Sequence, residues 1–288
     1  MTGPKVDKAL IPMAGARHVT LPLQTVLGSD GLPSTVIQHQ VSELVAAGIE
    51  QICLVVTDTV HALVAPVLAP FAHHITYIWQ TELLGFGHAL WCARDWVAGD
   101  PVVVQVCDHV FLSSVPASCV RQVVEAWSLR RASVCAVKRI REAEVPRVGV
   151  VSGKRLTGSG DTYLLEAFLE KPSLTKAELL PHVPGLGSSE YLCSTGLFAL
   201  SPGFFEILDE LHQKPEGEPL RWLAPAFTEL MRRESLFGFE LQGRRINLEE
   251  PFGLLRAQVA MGLASPHRDV LLSLLLEESV RLNRTGRD

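Results

Sequence analysis

Four short stretches hold residue types that do chemistry at phosphates and sugars. In "KALIPMAGARHVTLPLQT" (Lys8 to Thr25) an apolar run stops at Ala14-Gly15, and Arg17 and His18 follow. A strand that ends in a glycine turn offers backbone N–H groups to a phosphate, and Arg17 adds a cation. The loop has a single glycine where phosphate loops have two or three, and it has no lysine. In "QTELLGFGHAL", Gln80 carries a two-way hydrogen-bonding amide suited to a base edge, and Gly85 and Gly87 let backbone approach a ligand. In "VVVQVCDHV", Asp108 ends an apolar run, where a carboxylate can hold Mg²⁺ against a phosphate. In "FLEKP", Glu170 can accept from sugar hydroxyls and Lys171 can neutralise a phosphate. Each also has a plainer reading. Asp108 can cap a helix, Gly-x-Gly before a helix is common, and Glu170-Lys171 can be an exposed ion pair of little worth. The ten histidines, His88 included, show no ligand spacing and read as structural.

These residues need a frame to position them. Apolar, β-branched runs at 9–13, 49–57, 75–80, 101–112 and 132–140 alternate with helical spacing at 34–47, 59–68, 87–97 and 116–129. That rhythm predicts an α/β, Rossmann-like fold with a mixed, mostly parallel sheet and helices on both faces. Beyond residue 140 the runs shorten, in "VGVVSG", "TYLLEAFLEKP" and "YLCSTGLFALSP". Helices are expected at about 204–211, 220–233, 251–264 and 266–283, with a short strand at 237–241. The reading is one domain over 1–264, with a first half to about residue 140 and a second from 141. A C-terminal helix at 265–288 has more apolar residues than a solvated helix needs and suits a contact in a homo-oligomer. In such sheets ligands sit outside the C-terminal strand ends, where Ala14, Gly15, Gln80 and Asp108 fall.

Composition narrows the classes. With 288 residues, 47% hydrophobic, the chain can bury a large core. A formal net charge of −5 speaks against a nucleic-acid partner. No apolar run reaches the ~18 residues of a membrane span, and the first residues do not read as a signal peptide. The six cysteines are scattered without a C-x-x-C pair, so buried reduced thiols in a cytoplasmic protein are expected.

Taken together and in order, "LIPMAG", "LP" at Leu21-Pro22, "IQHQVSELVAAGIEQICLVVT", "QTELLGFGHALWCA", Asp108, "VGVV", "LEKP", "STGLFALSP" and "GLLRAQVAMG" resemble the sugar-1-phosphate nucleotidyltransferases. The likeness is strongest to the bacterial UTP–glucose-1-phosphate uridylyltransferases and spans about residues 9 to 264. It implies that Ala14 and Gly15 seat a nucleoside triphosphate or NDP-sugar, and that Gln80 and Gly85 read uracil or thymine. It implies that Asp108 holds Mg²⁺, and that Gly149, Glu170, Lys171 and Gly196 hold the sugar 1-phosphate. The implied reaction is in-line attack of the sugar phosphate on the nucleotide α-phosphorus, with pyrophosphate leaving. Arg17, Asp108 and Lys171 are the catalytic candidates.

The departures cluster where the triphosphate is gripped. Against the family's G-x-G-T-R-x-x-P-x-T-K, Arg17 stands at the second glycine, Val19 at the arginine and Thr25 at the lysine. Ser29 replaces the next lysine, and a short piece is missing between Pro33 and Ile37. Asn247 stands at the second metal aspartate and Glu249 at the glycine after it. Arg17, His18, Arg244 and Arg245 are candidate replacements for the missing charge. Two expectations follow: an active, divergent enzyme, or a relative that binds a nucleotide sugar without turning it over.

Overall fold

The computed structural model describes residues 5–15, 20–28, 30–158, 161–214, 221 and 223–284, with side chains to 281. Arg17, His18, Val19 and Ser29 lie outside the described residues. The chain opens with β1 (Lys8–Pro12), a short hairpin of β2 (Thr25–Leu27) and β3 (Pro33–Thr35), α1 (Val36–Ala46), β4 (Gln51–Val56), α2 (Asp58–Val67) and β5 (Ile75–Trp79). There follow α3 (Phe86–Cys92), α4 (Arg94–Val97), β6 (Val102–Gln105), β7 (His109–Ser113), α5 (Cys119–Arg130) and β8 (Val134–Arg141). The second half comprises β9 (Val150–Arg155), β10 (Thr162–Leu169), α6 (Leu174–Glu178), β11 (Glu190–Leu200), α7 (Gly203–His212) and α8 (Ala224–Arg233). It ends with β12 (Phe237–Glu240), β13 (Gly243–Asn247), α9 (Gly253–Ala264) and α10 (Arg268–Arg284).

Nine strands form one sheet in the order β5-β4-β1-β6-β11-β8-β12-β10-β9. From β5 to β6 the neighbours are parallel, as is the β8–β12 pair. The pairs β6–β11, β8–β11, β10–β12 and β9–β10 are antiparallel. β9 also pairs antiparallel with β11. The sheet is therefore mixed, as expected, but its parallel share is concentrated in the first half, and antiparallel pairs prevail once the later strands are added. β11 slots between β6 and β8, so both halves of the chain share one sheet.

Alternation along the strands sends side chains to both faces. Leu10, Cys53, Val55 and Val104 pack with Leu90, Phe204 and Phe227 of the α3, α7 and α8 layer. Ala9, Ile11, Ile52 and Leu54 pack with Val41, Val60, Val123 and Trp127 of the α1, α2 and α5 layer. Continuous apolar strands are what a sheet buried on both faces requires.

Some expected elements differ. The run 101–112 is two strands: β6 ends at Gln105, and β7 leaves the sheet to pair antiparallel with β13. At the break, Val106 N donates to the Gly196 carbonyl, and a side chain from α1 takes up the carbonyls beyond it. The helix expected at 87–97 breaks at Ala93, whose N–H turns to the Leu90 carbonyl. The helix expected from residue 34 starts later because Thr35 and Gln38 form a reciprocal capping box. Among the described residues, no helix is long and apolar enough to cross a membrane.

Candidate active site

Two adjoining cavities open beyond the C-terminal ends of β1, β5 and β6. The first, of about 430 Å³, is lined by Ala14 and Gly15 after β1, Gln80 after β5, and Gly85 and Phe86 at the start of α3. The second, of about 250 Å³, is lined by Gly149, Glu170, Lys171, Gly196 and Asn247. Phe86, Val106 and Asp108 border both. Residues separated by more than a hundred positions thus meet at one carboxylate. Arg17 lies outside the described residues, and Thr25 is exposed on β2, away from both linings.

The join is built by the β6–β7 break. Val106, Cys107 and Asp108 turn the chain out of the sheet, and Gln40 of α1 fixes that turn. Its Nε2 donates to the Val106 carbonyl at 3.0 Å and the His109 carbonyl at 2.7 Å. The Asp108 carbonyl accepts from Leu248 N at 2.9 Å, which ties the turn to β13. The β7–β13 register sets Asn247 against His109 and so beside Asp108. His109 Nδ1 lies 3.2 Å from Asp108 Oδ1.

Gln40 received no role from the sequence, although a lone amide within the buried stripe Ile37, Val41 and Leu44 was a signal. Gln40→Leu would leave two carbonyls without this donor, a cost of about 1–3 kcal/mol. The expected outcome is a melting temperature lower by several degrees and turnover lower by about tenfold, because the Asp108 turn loosens. Thermal melts and steady-state rates measure both.

Lys171 adopts φ +41°, the left-handed region that non-glycine residues rarely enter. Its N–H donates to the Val148 carbonyl at 3.1 Å, which holds the turn. In a straight strand, Glu170 and Lys171 would face opposite ways. The turn after β10 instead lets both line the second cavity. Burial raises the Glu170 carboxyl above the ordinary 4.5, against a downward pull from Lys171.

Two glycines are required by their surroundings. A Cβ on Gly85, at φ +120°, would sit 2.4 Å from Arg221 Cα. At Gly196, φ +79°, it would meet Val106 at 2.6 Å, at the point where β11 crosses the β6 end. Gly85 therefore joins the first cavity to the backbone at residue 221.

Charge in the second cavity comes partly from residues the sequence left unassigned. Arg147, directly before the "VGVV" segment, lines it with Lys171 and Arg245. Arg245 was a named candidate; Arg244, next along β13, lines a separate surface cavity with Arg256 instead. Asn247 Oδ1 accepts from Glu249 N at 2.8 Å, and the Glu249 carboxylate-bearing residue lines the same cavity. Asp108, Asn247 and Glu249 line the second cavity together and bring to it oxygen donors of the kind a hard divalent cation takes.

Residues 20–235 match the family described as nucleotidyl transferase. The chain is 26% identical to UTP–glucose-1-phosphate uridylyltransferase of Bacillus subtilis, over 94% of this chain and 96% of that one. It is 25% identical to the Staphylococcus epidermidis protein of the same name, over 95% and 98%. Among solved structures, it superposes on UTP-bound UGPase from Acinetobacter baumannii with a TM-score of 0.73, at 22% identity, covering 94% of this chain and 99% of that one. A UDP-glucose pyrophosphorylase complexed with UDP-glucose gives 0.69, at 22% identity, covering 88% and 98%. The likeness to the solved chains is one of fold.

Proposed function

The chain belongs to the nucleotidyl transferase family, and from that premise we propose that it joins UTP and glucose 1-phosphate to give UDP-glucose and pyrophosphate. The observation that carries this is the pair of cavities meeting at Asp108. Ala14, Gly15, Gln80 and Gly85 seat the nucleotide in the first. Gly149, Glu170, Lys171 and Gly196 seat the sugar phosphate in the second. A phosphate oxygen of glucose 1-phosphate attacks the α-phosphorus, the bond to the β-phosphate oxygen breaks, and pyrophosphate leaves with that electron pair. Bringing two anions together is the main obstacle, and it is met by placement and fixed charge. Lys171, Arg147 and Arg245 supply cations from the sugar side, and Arg17 supplies one from the nucleotide loop. Asp108 and Glu249, with Asn247 beside them, would hold Mg²⁺, which when bound neutralises phosphate charge.

The test is direct. Purified protein with UTP, glucose 1-phosphate and Mg²⁺ should release pyrophosphate at above ~1 s⁻¹. Calorimetric binding of UDP-glucose without turnover would instead establish a nucleotide-sugar-binding relative that has lost catalysis.

Glu170 gives a pH signature. Its raised value means that the folded chain keeps this proton above pH 4.5. The proton's contribution to stability is full below 4.5 and is lost as pH rises through the higher folded value. Sugar binding runs the other way, because the ionised carboxylate is the better acceptor for hydroxyls. The KM for glucose 1-phosphate is expected to fall as pH rises from 4.5 through that value, and Glu170→Gln should remove this part of the profile.

We also read the protein as a cytoplasmic homo-oligomer. Its six cysteines are free thiols, in keeping with a reducing compartment. α10 exposes Val270, Leu272, Leu274, Leu275, Leu276 and Val280. A second copy of the chain covering this face would bury them. Light scattering on the full chain and on one ending at Ala264 should show a lower subunit number for the shorter; equal numbers would remove α10 from the contact.

A further inference from the structure

We propose that His88 sets base specificity as a positioning residue: by accepting a hydrogen bond at Nδ1, it locks the Gln80 amide with Oε1 as the atom left for the base, so that the site reads an edge carrying an N–H donor. The inference rests on the uridylyl reading above and adds a residue and a selection rule to it.

Gln80 and His88 are 3% and 5% exposed, so the Gln80 NH₂ and His88 Nδ1 make their contacts inside the protein. Gln80 Nε2 lies 3.1 Å from the Gly85 carbonyl and 2.9 Å from His88 Nδ1. A carbonyl only accepts, so the atom facing Gly85 must be the amide nitrogen. Its two hydrogens are then spent on Gly85 and His88. His88 Nδ1 must accept, which places the ring proton on Nε2. Among the described residues, no donor reaches Gln80 Oε1, and Gln80 lines the nucleotide cavity. The remaining valence of the amide is an acceptor. It suits the imide N–H of uracil or thymine and opposes the ring-nitrogen acceptor at the same place in cytosine.

The ring is held so that it can do this. His88 stacks on Trp91 at a centroid distance of 5.4 Å. Trp91 in turn stacks with His212 of α7 at 3.6 Å, meets the Arg94 guanidinium at 4.0 Å and donates to Asp209 Oδ1 at 3.0 Å. The groups facing His88 are His212, Glu82 in the preceding loop and Cys92, whose Sγ is 3.9 Å from Nδ1. Burial, and then His212, hold the imidazole below the ordinary 6.5, against an upward pull from Glu82. At neutral pH it is therefore an acceptor. Protonation would put an N–H on Nδ1 against the amide NH₂, so the pair would part or the amide would turn over.

The test uses the full chain with UTP and CTP. His88→Leu keeps bulk and removes the acceptor; His88→Asn places an amide oxygen near the Nδ1 position and does not titrate. His88→Leu is expected to raise the KM for UTP about tenfold with kcat within threefold, and to cut the preference for UTP over CTP about tenfold. His88→Asn should keep the preference. Wild-type affinity for UTP should fall as pH drops below 6.5, through a component absent from His88→Asn. Where His88→Leu does not fold, the Asn variant and this pH difference decide. A His88→Leu variant with unchanged KM and preference, an Asn variant that loses the preference, or identical pH profiles would overturn the inference. A wild-type chain that binds no uracil nucleotide would overturn the uridylyl reading, and this inference with it, before any variant is compared.

Discussion

Asp108→Asn is expected to lower turnover by about 10²–10³-fold while leaving the fold and metal-free UDP-glucose affinity nearly unchanged. The substitution conserves size and removes one negative charge. The backbone bonds that shape the turn remain, since Gln40 binds the carbonyls on either side and Leu248 N binds the carbonyl of residue 108 itself. The melting temperature should therefore stay within a few degrees of wild type. What is lost is, among the described residues, the one carboxylate bordering both cavities. A charge-stabilising group of this kind contributes ~3–4 kcal/mol to the barrier. Two measurements separate this from a general loss of binding. Pyrophosphate release reports turnover, and Mn²⁺ titration in the presence of UTP reports the cation directly, without requiring catalysis. Turnover within threefold of wild type, or undiminished Mn²⁺ affinity, would remove Asp108 from the role assigned to it.

Much of this site was legible because strand ends in an α/β sheet converge. Ala14-Gly15, Gln80 and Asp108 each follow an apolar run, and the parallel part of the sheet brings those ends together. The strand split at 105–109 was not legible. Residues 101–112 are apolar nearly throughout, and such a run carries no periodicity to show where one strand leaves the sheet and another begins. Its cause is nonlocal: Gly196 and Gln40 supply the bonds that replace the ladder. The antiparallel half failed to show for a related reason. Nothing near 190–200 states that β11 will insert between β6 and β8, strands that end at Gln105 and Arg141, far back along the chain. His88 illustrates the limit for side chains. Its spacing carried no ligand signal, and its relation to Gln80 exists only once α3 packs beneath the β5 end. Arg147 and Glu249 were visible as charges beside recognised segments, but only the folded cavity gives them a common address.

Lys171 joins a cavity-lining charge to a left-handed backbone, so activity and stability can be separated there. Lys171→Gly should lower turnover by about 10²–10³-fold, yet leave the protein as stable as wild type or more stable by up to about 1 kcal/mol. The left-handed backbone at φ +41° costs a lysine what it does not cost a glycine. Glycine's greater freedom in the unfolded chain offsets part of that gain. The cation, in contrast, has no replacement at the same place, because Arg147 and Arg245 reach the cavity from other elements. Lys171→Met supplies the control: it keeps the stem and the strained backbone and loses only the charge, so it should match the glycine variant in rate and fall below it in melting temperature. Sugar-phosphate affinity should weaken in both, as the KM for glucose 1-phosphate would record. A Lys171→Gly protein that melts well below wild type would mean that the lysine supports the fold. One that turns over at the wild-type rate would mean that its charge serves neither the sugar phosphate nor the transition state. A stable, inactive glycine variant would show that the strain at residue 171 is maintained for the placement of this side chain, since relaxing it costs the fold nothing.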